Sequence, residues 1–186
     1  MKYLILLLMI WLNLSINAFC NSQWDDFLQQ LNMDTFMMLE KNFTANGRNC
    51  DLDIMPEQIH RTKLFELIRK GNQLAFRASL LVSKCWDGGE LGDFNRSVGL
   101  FFEVKPQVFL QIVIDKNITD RQLNYMLTML PLHTVDNIDL KIAMLENRID
   151  TLRSLNEKKF ITIRKRGILR LEKAIDNLIK IKKTIN

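Results

Sequence analysis

The chain has 186 residues, 47% hydrophobic and 25% charged, with 26 Lys and Arg against 21 Asp and Glu. That balance excludes a disordered or collagen-like chain and a polytopic membrane protein, and the length suits one domain. Two His and three Cys leave little material for a metal site or a nucleophilic triad.

The N-terminus opens with one positive charge, Lys2, then a mainly apolar run from Tyr3 to Leu14, then the more polar SINAFCNSQ. This is the three-part plan of a secretory signal peptide, and the run is shorter than the roughly 20 residues a membrane span needs. Ala18 and Cys20 are small residues at −3 and −1 for cleavage after Cys20, cleavage after Ala18 being a less tidy alternative, whereas Phe19 before Cys20 disfavours a lipidated cysteine. Residues 1–20 are therefore predicted to be a signal peptide, and 21–186 a single exported domain, periplasmic or secreted. In an oxidising compartment the remaining pair, Cys50 and Cys85, is expected to form a structural disulfide.

The mature chain reads as successive helices. Trp24, Phe27, Leu28 and Leu31 form one apolar face, which Phe36, Met37 and Leu39 to Phe43 continue up to a break at Ala45-Asn46-Gly47. A polar loop holding Cys50 leads to Pro56, which suits the first position of a helix carrying Ile59, Phe65 and Ile68, with a stop at Gly71. Leu74, Ala78, Leu81, Val82 and Cys85 make the next helix, ended by Asp87-Gly88-Gly89; Leu91, Phe94, Val98, Phe101 and Phe102 make another. Pro106 opens the segment Val108 to Ile114, where dense β-branching also suits a buried strand; helix is preferred because no partner strand is evident. Thr119 and Gln122 form a capping box ahead of Leu123, Met126, Leu127 and Leu130. Of three glycosylation sequons, at Asn42, Asn95 and Asn117, the last is already explained by the cap at Thr119, and all three are read as chance in an Asn-rich chain.

Helix starts near Pro56, Asn72, Gly89, Pro106, Thr119 and Thr134 give a rhythm of short antiparallel helices. It suits an irregular α-hairpin repeat or an orthogonal bundle. After it, Ile138, Ile142, Leu145, Ile149 and Leu152 recur at 4, 3, 4, 3. Beyond a break at Ser154 to Asn156, a long helix carries Ile161, Ile168, Leu171, Ile175 and Leu178, with Gly167 on its apolar side. The predicted fold is all-α, ending with residues 134–186 as a basic antiparallel helical hairpin.

Charge is polarised. Residues 153–186 hold eleven basic and three acidic side chains, a net of +8, while residues 21–152 carry a net of −4. The basic set, including Arg164, Lys165, Arg166, Arg170 and Lys173, suits an acidic protein partner or an anionic membrane or glycan surface. Export argues against nucleic acid.

The densest polar cluster is Trp86, Asp87, Glu90, Asp93, Asn95 and Arg96. Glu90 and Asp93 share a face at a helix start, the arrangement a cell-wall glycoside hydrolase would use as acid and base. Acidic residues in a first turn are also ordinary complements of the helix dipole, so no catalytic residue, metal ligand or cofactor is expected here. The function implied is an exported, non-catalytic, protein-binding module, one concrete form being an inhibitor or immunity protein of the cell envelope. The alternatives are a wall hydrolase using Glu90 and Asp93, and an envelope structural protein held by the basic helix.

Overall fold

A computed structural model describes residues 23–45, 50 and 55–185. The signal-peptide assignment to residues 1–20 lies outside them. All regular structure among the described residues is helical. Residues 23–30 are helical (α1), followed by α2 (Met33–Ala45), α3 (Gln58–Arg69), α4 (Gln73–Val82), α5 (Gly88–Val104) and α6 (Pro106–Asp115). Then come α7 (Asp120–Thr128), α8 (Ile138–Ser154) and α9 (Ile161–Ile185).

These helices gather into two compact units. The first holds the described residues up to Leu67 together with Leu74–Trp86; the second holds Ile68–Gln73 and the chain from Asp87 onward. In the first, the apolar run that reads as one continuous face from Trp24 to Phe43 is two helices. Leu31 takes a left-handed φ of 45°, and Asn32 restarts the chain by accepting the Thr35 amide on Oδ1 at 2.9 Å. That is the side-chain cap that short polar residues supply to unsatisfied first-turn amides. Met37, expected on the apolar face, is consequently 52% exposed.

Helix α3 starts two residues after Pro56 rather than on it. Its buried stripe is His60, Leu64, Phe65 and Ile68, while Ile59 is 72% exposed. His60 explains the rotation. Its Nδ1 accepts the Glu57 amide at 3.2 Å and its Nε2 donates to Asp25 Oδ1 at 3.1 Å, so the imidazole is buried with both nitrogens bonded. Phe65 meets Trp86 edge-on, with centroids 5.2 Å apart. The Cys50–Cys85 disulfide is formed, with Cα atoms 5.3 Å apart across a separation of 35 residues.

In the second unit, Asp87 precedes α5, whose Phe94, Val98, Phe101 and Phe102 are buried. Pro106 sits in the first turn of α6, so the β-branched run is a helix, with Phe109 edge-on to Phe102 at 5.2 Å. Asn117 takes a left-handed φ of 48°, which Asn tolerates better than most residues, and turns the chain into α7. The capping box forms: the Gln122 amide donates to Thr119 Oγ1 at 3.3 Å, and the Thr119 amide donates to Gln122 Oε1 at 3.1 Å. The helix expected near Thr134 begins instead at Ile138. A short 3-10 turn spans Leu132–Thr134, and Asn137 Oδ1 caps α8 by accepting the Leu140 amide at 2.9 Å.

Helices α8 and α9 form the antiparallel hairpin. Arg164 donates to the Leu155 carbonyl at the turn, Gly167 lies against Leu152 midway, and Lys182 meets Asp139 at the open end. The buried stripe of α9 is Ile163, Gly167, Leu171 and Ile175, continuing from Phe160, and Ile161 is 39% exposed. The observed seam is thus rotated from the expected one at its N-terminal end. The rotation places Gly167 against the methyls of Leu152 and Leu127.

Candidate functional site

The capping box fixes the start of α7, and so fixes which of its faces looks outward. Leu123, Met126 and Leu127 are buried, leaving Asp120, Arg121, Asn124, Tyr125 and Thr128 along the opposite side. On α9, burial of Leu171 and Ile175 turns Arg170, Lys173, Ala174, Asn177 and Leu178 the same way. Their spacing of three and four is one helical face, so each helix supplies a wall about 12 Å long at 1.5 Å per residue. Lys141 and Leu145 of α8, the segment from Met129 to Val135, and Arg96 of α5 complete a cleft of about 850 Å³ within the second unit.

Its floor is apolar: Leu130, Leu145 and Leu178 are half-buried or buried beside Tyr125 and Ala174. Its rim is basic, with Arg96, Arg121, Lys141, Arg170 and Lys173 against the single carboxylate of Asp120. That carboxylate is already held. Arg166 bonds it, Arg170 Nη2 donates to its Oδ2 at 3.1 Å, and the Arg166 hydrogen bond, aided by Arg170, keeps the carboxyl below the usual range. Arg96 pairs with Asp93 at 2.8 Å and Arg121 stands 5.8 Å over the Tyr125 ring. Lys141 and Lys173 have no carboxylate partner among the described residues.

A buried arginine supports the cleft from behind. Arg148 of α8 is fully buried; it donates to Glu103 Oε1 through Nε at 2.9 Å and Nη2 at 2.7 Å, and through Nη1 to the carbonyls of Leu127 at 2.6 Å and Met129 at 3.2 Å. Those carbonyls are the unsatisfied acceptors at the end of α7. Burial pulls the guanidinium's affinity for its proton down and Glu103 pulls it back up. The result is a fixed end to α7 where Met129 and Leu130 enter the cleft.

The residues singled out from the sequence are dispersed. Trp86 and Asn95 are buried, Asp87 is exposed at the start of α5, Glu90 is half-buried and Asp93 is engaged by Arg96. Of that cluster, Arg96 reaches the cleft. Of the basic run, Arg164 is bound to the Leu155 carbonyl, Lys165 is exposed outside the cleft, Arg166 braces Asp120, and Arg170 and Lys173 line the cleft. The structure therefore joins one residue of the first set to two of the second. The α7 face and Lys141 were missed; the polar stripe at spacings of four behind the capping box was the available signal. Among the described residues no three His, Cys, Asp or Glu side chains gather to share a metal ion, and no helix is long and apolar enough to cross a membrane. No family model, no curated protein and no solved structure matches the chain.

Proposed function

We propose that the chain is an exported, non-catalytic protein-binding module whose contact surface is the cleft between α7, α8 and α9. The observation that carries this reading is the pairing of an apolar floor, Leu130, Leu145 and Leu178, with the cations Lys141 and Lys173, which have no carboxylate partner among the described residues. Apolar floors with a few placed charges are what partner side chains dock into, the floor supplying affinity and the charges orientation. Export is supported by the N-terminal sequence, Lys2 followed by the apolar run to Leu14, and by a disulfide of the kind that persists in oxidising compartments. The non-catalytic part is supported by the ordinary helix-start setting of the two carboxylates, Glu90 in the first turn of α5 and Asp93 in an i,i+3 pair with Arg96.

Site-specific photocrosslinking tests it. A benzophenone side chain at Asn177, on the cleft rim, in the full chain expressed with its own leader, is expected to give a discrete crosslinked protein product. The same group at Ile59, exposed on α3, is expected to give none. Equal or absent products at both positions would sink the assignment of the cleft as the contact surface.

A further inference from the structure

We propose that the occupant of the cleft is an acidic amphipathic helix of a partner protein, about two turns of it in contact; this rests on the protein-binding reading above. Charge complementarity selects the sign. Among the described residues that line the cleft, Asp120 is the one carboxylate and is already bonded to Arg166 and Arg170, whereas Lys141 of α8 and Lys173 of α9 line the cleft with no carboxylate partner among the described residues. A neutral or basic occupant would cover these ammonium groups without replacing the water it displaces from them, whereas carboxylates replace that water with ion pairs.

Shape selects the form. The walls offered by α7 and α9 are each one helical face about 12 Å long, which is the length of about eight helical residues. Tyr125 and Leu178 on these walls, together with Leu130 and Leu145, make an apolar strip, which suits apolar anchors at i, i+3 or i+4, and i+7 of a helix laid in the groove. Glutamates on the flanks of that helix then fall beside the two lysines. The rigid end of α7, held by Arg148 through the Leu127 and Met129 carbonyls, keeps the groove preformed, so little ordering cost falls on the receptor.

The test is fluorescence anisotropy on the purified full-length protein with a labelled Leu–Glu peptide of about a dozen residues, amphipathic at helical spacing. Comparison probes are its Leu–Lys counterpart, a proline-broken Leu–Glu isomer and sodium laurate. The Leu–Glu helix is expected to bind at least about tenfold tighter than either peptide control, to weaken with salt, and to lose about tenfold or more in the Lys141→Glu/Lys173→Glu variant. Lys180→Glu, exposed on α9 outside the cleft, is expected to bind as wild type. Preference for the Leu–Lys peptide, equal binding of the broken peptide, or binding of laurate with none of the Leu–Glu helix each overturns the proposal. A cleft-specific protein crosslink at Asn177 with no Leu–Glu binding removes the acidic helix and leaves the proposed function; absence of both removes both.

Discussion

Gly99 and Arg148 occupy one another's space. A Cβ built on Gly99 would lie 2.8 Å from Arg148 Nη2 and 3.0 Å from both Nη1 and the Met129 carbonyl oxygen. The glycine lets the guanidinium approach α5 closely, where it reaches Glu103 and the end of α7 at once.

Gly99→Ala is therefore expected to destabilise the protein by about 2–3 kcal/mol, although alanine is the better helix former. Arg148→Met, which retains an apolar side chain but leaves the Leu127 and Met129 carbonyls without their donor, should cost about 3 kcal/mol or more. The double variant should cost less than the two singles together, because a flexible methionine yields to the new methyl group. Urea denaturation of the four proteins reads the coupling; strict additivity would mean the two residues do not share their space.

Gly167→Ala makes the contrast. The added Cβ would lie 3.0 Å from Leu152 Cδ1 and 3.1 Å from Leu127 Cδ1, both ends of flexible side chains rather than a bonded guanidinium. The helix-propensity gain of about 1 kcal/mol offsets the crowding, so the midpoint should move little. Gly167→Leu, which no rotation of those leucines accommodates, should cost about 1–3 kcal/mol. A large loss for Gly167→Ala would show that the α8–α9 seam cannot yield.

Asp120 gives a pH dependence. Its carboxyl is held below the ordinary value of 3.8, first by the hydrogen bond from Arg166 and then by that from Arg170. A carboxyl depressed by folding stabilises the folded state fully above the unfolded-state value, and that contribution is lost as pH falls through the folded-state value. Thermal midpoints of wild type and Asp120→Asn should therefore differ at neutral pH and converge as the pH drops below about 3.8. A difference that is constant down to strong acid would remove the ion pairs as its cause.

Reduction of Cys50–Cys85 should lower stability by about 2–4 kcal/mol through the restored freedom of the unfolded chain. In the same preparation, the intact mass of protein recovered from the export compartment should lack residues 1–20 and two hydrogens. A full-length mass there would overturn the predicted cleavage, and a mass unchanged by reductant would mean that the bridge is not formed in the exported protein.

Much of the local structure was legible because its causes lie within a few residues of one another. The Thr119–Gln122 box, the stop at Gly71 with its φ of 81° and the helix after Pro106 all follow from side chains or backbone angles beside the element they bound. The Cys50–Cys85 bridge followed from counting cysteines after the expected cleavage. Where a long-range partner competed with periodicity, the expectation moved. His60 bonds Asp25 and turns α3 so that Ile59 faces outward, and the hairpin seam at Gly167 draws in Ile163 in place of Ile161.

By itself the sequence determined that the chain is built of helices, where most of them begin and end, and that its charge collects toward the C-terminus. Only the tertiary structure decided which of those charges are available. Arg148 adjoins the seam residue Ile149, and it is buried because Glu103 and the end of α7, both far along the chain, converge on it. Likewise Arg166 is tied to Asp120 while Lys141 and Lys173 are left facing the cleft. Helical spacing depends on neighbours three and four residues away, whereas the fate of a charge depends on whatever the fold brings beside it.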